Sequence, residues 1–234
     1  RARAAGAAGA RLAFSQEERT SVTFEAGRLK ETGDKATAGY TVEILRAGRR
    51  ASTYGNRTDR LADMTEQAIK LADTGSHAHF AAWPPAENTV NVPLHAPETV
   101  ELTREDLVAA CGAISAALLE YDPDLWVQCK AARSESAALL ATSGGLRHQS
   151  KATHWRLSAQ VQRTRADDVL IAFDGRGWRA PAPHFDPDAI AKRLLGLLRH
   201  AERAAQPPTG KTTLLLPPET LAQMLDPVLA GLNG

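Results

Sequence analysis

His77 and His79 are one residue apart, just past a helical pattern, and two imidazoles at that spacing could face one metal ion. No neighbouring cysteine or carboxylate completes a coordination shell, so they are read as helix-end histidines. The run Thr209-Gly210-Lys211-Thr212-Thr213 copies the end of a loop that cradles phosphate with backbone N–H groups and a lysine. Ala205 stands where the first glycine belongs, and a strand rather than a helix is expected next, so phosphate binding is not assigned. Cys111 falls on the apolar stripe of a helix, the place of a small core residue and not of a nucleophile. His154 and Arg156 alternate with apolar residues and share the polar face of a strand. They could touch a peptide or a partner, and a solvated strand face is the plainer reading. Trp83-Pro84-Pro85 reads as a packing element between domains, its indole also suited to anchoring a partner chain. No catalytic, cofactor-binding or metal-ligating residue is assigned from these patterns.

The elements that must position these residues read as α+β. Val22 and Phe24 share one strand face, and Tyr40, Val42 and Ile44 share another. The first strand ends in a Gly27-Arg28 turn, an acidic and basic connector follows, and the second strand enters through Ala38-Gly39. Ala47-Gly48 turns into a further strand. Asp59 is expected to cap a helix over 59–73 that buries Leu61, Met64, Ala68 and Leu71. Four prolines and no periodicity mark 80–100 as a linker or ordered crossover. Thr103 then caps a second helix with Asp106 in a capping box, and Leu107, Cys111, Ile114 and Leu118 line its buried side.

An antiparallel meander is expected next. It comprises LWVQCKAAR, ESAALLAT, a Ser143-Gly144-Gly145 turn, KATHWRLSAQVQR and VLIAFDGRGWR, the last turning at Asp174-Gly175. Asp186-Pro187 opens a helix in the N-cap and N1 arrangement, with Ile190, Leu194, Leu197 and Ala201 inward. The final segment reads as an apolar strand, a double-proline turn and a helix from Pro218-Glu219 that Pro227 should shorten or kink. These elements divide into an N-terminal mixed unit with linker (1–92), a middle helix-plus-antiparallel-sheet domain (93–209) and the start of a third domain (210–234). RARAAGAAGARL at the start reads as a processed or shortened end whose first helix is cut short.

In this order, the strand, the E-x-G-R-L-K-E run at 25–31, the glycine-led strand, the S-T-x-G-N strand at 52–56 and the helix ending A-x-x-L-A resemble the opening domain of the TldD/PmbA family. The middle segment is similar to that family's second domain, so the resemblance spans nearly the whole chain. It implies a cytoplasmic peptide-processing complex in which a catalytic TldD-like subunit carries zinc on an HExxxH helix. There, two histidines one turn apart bind the metal and the glutamate activates water. In this chain the corresponding helix offers Leu221, Gln223, Met224, Leu225, Asp226 and Val228, and no histidine follows His200. The segment resembles the PmbA (TldE-like) branch. The resemblance therefore implies a non-catalytic subunit without its own cofactor, with zinc in the partner or in a further C-terminal domain. Its partners would be a TldD-like chain in a heterodimer, or a second copy, together with the peptide substrate.

Two other readings stand beside it: the front part of a complete zinc peptidase, and a nucleic-acid or gyrase-associated module. The net charge of +1 argues neither for nor against nucleic acid, with no long Lys/Arg run to mark a basic patch, and makes the last the weaker rival. Hydrophobic content of 43% is enough for a sizeable core. No apolar run reaches the roughly 18–20 residues that cross a bilayer. Two cysteines, Cys111 and Cys129, build no disulfide framework and point to a reducing compartment, with a single pairing left open.

Overall fold

The computed structural model describes residues 6–83, 85, 92–166, 168–203, 205–206, 208–213, 215–216 and 218–232. The chain forms two compact units, residues 1–200 and 201–234. The first is built on one antiparallel sheet. Strand β1 (Gly9–Glu25) is followed by β2 (Arg28–Arg46), β3 (Arg49–Gly55), helix α1 (Leu61–Ala72) and the short β4 (Ser76–His77). Then come the short helix α2 (Pro97–Glu101), α3 (Arg104–Tyr121), β5 (Trp126–Thr142), β6 (Arg147–Arg165), β7 (Asp168–Trp178) and α4 (Pro187–His200). The strand order is β4-β3-β2-β1-β5-β6-β7. The fold is α+β.

β1 is paired along nearly its whole length on both sides, to β2 and to β5. The segments expected as N-terminal and middle domains thus contribute to one sheet through this strand. Two alanine-glycine turns set the register of the first half. Ala26 and Gly27 have φ of 49° and 74°, and Ala47 and Gly48 have 48° and 71°. Positive φ at both central residues gives the turn whose twist matches the flanking strands, and glycine takes that conformation at no steric cost.

Helices cover one face of the sheet in two places. α3 and α4 lie over a core in which Leu107, Cys111, Ile114, Leu118, Trp155, Leu157, Ile190 and Leu194 are fully buried. α1 lies over a smaller core of Tyr40, Val42, Ile44, Ala68, Ile69 and Ala72. Each buried aliphatic side chain of this size stabilises the fold by about 1.5–3 kcal/mol. The Thr103 capping box forms as expected. Asp106 N–H donates to Thr103 Oγ1 at 3.1 Å, and Thr103 N–H donates to Asp106 Oδ2 at 2.8 Å. The Asp186 cap also forms, its Oδ1 accepting from Ala189 N–H at 3.0 Å.

Several local expectations are corrected. The connector at 31–37 is strand, since it pairs with Glu17 to Thr23 of β1. Residues 9–12, the end of the segment read as a shortened first helix, are also strand. Asp59 sits in a 3-10 turn and pairs with Arg57 at 2.7 Å, so it does not cap α1. α1 buries Ile69 and Ala72, and Leu71 faces out; α4 buries Leu198 where Leu197 was expected. LWVQCKAAR and ESAALLAT are one strand. Asp174-Gly175 is no turn: β7 runs straight through it, and the reversal from β6 passes through Ala166 with φ of 54°.

The crossover is ordered where it is described. Thr153 N–H donates to Leu94 O at 3.0 Å, and Ala96 N–H donates to Thr153 Oγ1 at 2.9 Å. Thr99 is fully buried and donates to Arg179 O at 2.6 Å. In the second unit, α5 (Pro218–Leu232) runs through Pro227, and the strand expected before it is not formed among the described residues. Among the described residues no helix is long and apolar enough to cross a membrane.

Candidate functional site: the open face of the sheet

Alternation places odd-numbered β1 residues and even-numbered β5 and β6 residues on the face away from the helices. Pairing then puts three rows side by side. Arg19, Ser134 and His154 form one; Ser21, Ala132 and Arg156 the next; Thr23, Lys130 and Ser158 the third. A depression of about 460 Å³ opens over these rows, lined by Arg19, Lys130, Arg156, Gln128, Gln160 and Phe173 among others. Its floor is polar because the helices cover only the opposite face, which leaves this one to solvent. Among the described residues, Arg19, Lys130 and Arg156 have no carboxylate within ion-pair distance.

His154 is held below the ordinary histidine pKa, first by partial burial and then by the positive charges of Arg179, Arg156 and Arg19, with Glu17 opposing. Gly177 lies beneath the ring, and a Cβ there would come within 2.9 Å of His154 Cε1. The two residues singled out on this strand, His154 and Arg156, are thus on one face as expected. Arg19 and Lys130 join them only through strand pairing, and the sequence had offered no signal for either.

The other singled-out residues stand apart from this face. His77 ends the short β4, and Trp83 packs on Phe80, with ring centroids 4.7 Å apart, and beside Gly9. Arg11 stacks over the Trp83 ring at 5.7 Å. Trp83 therefore packs within the first unit; Pro84 lies outside the described residues. Residues 209–213 lie in the second unit, and among the described residues the next helix begins at Pro218. Cys111 and Cys129 are free thiols in the core. Burial, reinforced by Cys129, pushes the Cys111 thiol up to about 12, while Cys129 is raised by burial against its hydrogen bond with Ser115. His95 Nε2 lies 2.9 Å from Glu135 Oε1 on the helix-bearing face, a pairing not anticipated. Among the described residues no group of three histidine, cysteine or carboxylate side chains could hold a metal ion, so the residues present do not fit zinc.

Residues 10–72 match the PmbA/TldA metallopeptidase domain 1 family. This stretch is similar to the first domain of that family. The wider fold agrees with solved structures of the same kind. TldE from Thermococcus kodakarensis superposes with a TM-score of 0.73 at 15% identity, over 82% of this chain and 44% of that one. A Bacteroides thetaiotaomicron protein named for modulation of DNA gyrase gives 0.85 at 17% identity, over 98% and 54%. A Thermotoga maritima protein of the same description gives 0.66 at 12% identity, over 79% and 42%. The chain spans about half the length of these structures. No curated protein sequence matches it.

Proposed function

We propose that this chain belongs to a non-catalytic, TldE-like subunit of a TldD-type zinc metallopeptidase complex that acts in the cytoplasm on small or unfolded peptides. The observation that carries this reading is the similarity of residues 10–72 to that first domain, set in a fold that superposes on TldE. The helix α5 supports it, offering Leu221, Met224, Leu225 and Val228 where an HExxxH zinc helix would stand in the catalytic branch. In this reading the chain supplies walls and contacts, and the reacting groups belong to a zinc-bearing TldD-like partner. β7 leaves Val169, Ile171 and Phe173 each more than half exposed along one side, apolar area suited to a subunit contact.

A second reading is that the chain is the front of a complete zinc peptidase; it spans about half the length of the matched structures. Native mass spectrometry of the endogenous protein, isolated gently from its own cells, decides between them. A complex with a second, zinc-bearing chain is expected. A single longer chain that carries its own zinc would overturn the companion-subunit reading.

A further inference from the structure

We infer that the open face of the sheet is a binding site for an extended, carboxylate-rich peptide, held by Arg19, Lys130 and Arg156. The choice of peptide over other polyanions rests on the reading above; the charge argument does not. Three cations surround one depression, and no acidic side chain lines it. The acids elsewhere on this face are Glu17, which opposes the charge at His154, Glu25, which pairs with Lys30, Glu31, placed beside Thr23, and Glu43, which pairs with Arg11 and Arg50. A set of like charges left without partners raises the local concentration of anions.

Spacing selects the shape of the ligand. Arg156 and Lys130 stand on adjacent strands one row apart, about 8 Å between Cα atoms, and Arg19 lies about 12–14 Å from each, from the strand spacing and rise. Alternate residues of an extended peptide are separated by about 6.8 Å. Carboxylates at such positions can therefore meet successive rows of the sheet. Ser21 lies in the row of Arg156, Thr23 and Ser158 flank Lys130, and Gln128 and Gln160 form the row beyond it; their amides and hydroxyls both donate and accept, as a peptide backbone requires. A single-stranded nucleic acid would call for a row of aromatic platforms, and Phe173 is the one aromatic residue lining the depression.

The test uses the 234-residue chain and a fluorescein-labelled octapeptide of alternating glutamate and serine, read by fluorescence anisotropy. Binding is expected, and it should weaken as salt rises from about 0.01 M to about 0.15 M, which shortens the screening length from about 30 Å to about 8 Å. Arg156→Gln, Lys130→Gln and Arg19→Gln should each weaken binding about threefold, the effect of one rim charge. Lys192→Gln on α4, exposed and away from this face, should leave it unchanged. Thermal melts confirm that the variants fold. Failure of the peptide to bind, binding indifferent to the three substitutions, or tighter binding of an eight-nucleotide single-stranded DNA would each overturn the inference. None of these outcomes bears on whether a zinc-bearing partner is present, which the mass measurement reads separately.

Discussion

The indole nitrogen of Trp155 donates to the backbone carbonyl of Ala180 at 2.7 Å, which fastens the middle of the sheet to the chain leaving β7. Trp155 is fully buried, and its ring meets Phe185 edge-on with centroids 5.2 Å apart. Trp155→Phe keeps much of the packing and leaves the Ala180 carbonyl without this donor. A loss of about 1–3 kcal/mol is expected in chemical denaturation. Trp155→Ala, which also opens a cavity, should cost about 3–5 kcal/mol.

Gly75 is a second sensitive point. A Cβ placed there would lie 2.2 Å from the carbonyl oxygen of Arg50, and Arg49 Nη1 donates to Gly75 O at 2.8 Å. The obstructing atom is backbone in a paired strand, so no side-chain rotation relieves the clash. Gly75→Ala should shift the end of α1 away from β3 and lower the melting temperature by several degrees, about 2–4 °C per kcal/mol in a domain of this size. Gly196→Ala, in the open on α4, should have no such effect.

The two thiols should be inert in the folded protein. Cys111 is pushed up to about 12, so almost none of it is thiolate at pH 8. Alkylation followed by mass spectrometry should label neither Cys111 nor Cys129 without denaturant and both with it. Rapid native labelling of Cys111 would contradict its burial.

His154 makes stability depend on pH in a defined direction. Its folded pKa lies below the ordinary value, so between the two the unfolded chain holds a proton that the folded chain lacks. The stabilising contribution is full above the unfolded pKa of about 6.5 and is lost as pH falls through the folded value. His154→Gln should flatten this acid-side loss in melts taken below pH 7. Arg156→Gln should raise the His154 pKa, measured by the NMR titration of the ring protons.

Much of this architecture is written locally. The Thr103 capping box, the Asp186 cap and the stripe Leu107, Cys111, Ile114, Leu118 each depend on neighbours within a turn or two, and each formed as its spacing predicted. The misread places have tertiary causes. Asp174-Gly175 has the composition of a hairpin turn. Yet Asp174 Oδ1 meets Arg193 Nε at 3.5 Å, and a Cβ on Gly175 would come within 2.9 Å of Ser158 Cβ, so an acidic residue and a glycine suit a strand packed this closely. Leu71 and Leu197 were misplaced because the buried arc of a helix is set by what it lies on. The open-face cluster was the least legible part. Arg19, Lys130 and Arg156 lie on three strands, and only the register of β1 with β5 and of β5 with β6 brings them together.

The central position of β1 also sets a timetable during synthesis. β2 can zip onto one edge as soon as the first hairpin leaves the ribosome, but the other edge waits for β5, in which Gln128 is the partner of Glu25. At about 5–20 residues per second that wait is roughly 5–20 s. Throughout it a 17-residue strand presents unpaired backbone groups. The nascent chain is therefore exposed to edge-to-edge association for far longer than a hairpin takes to form, and holding that edge apart is a task for the cell's folding machinery before the protein has any other work to do.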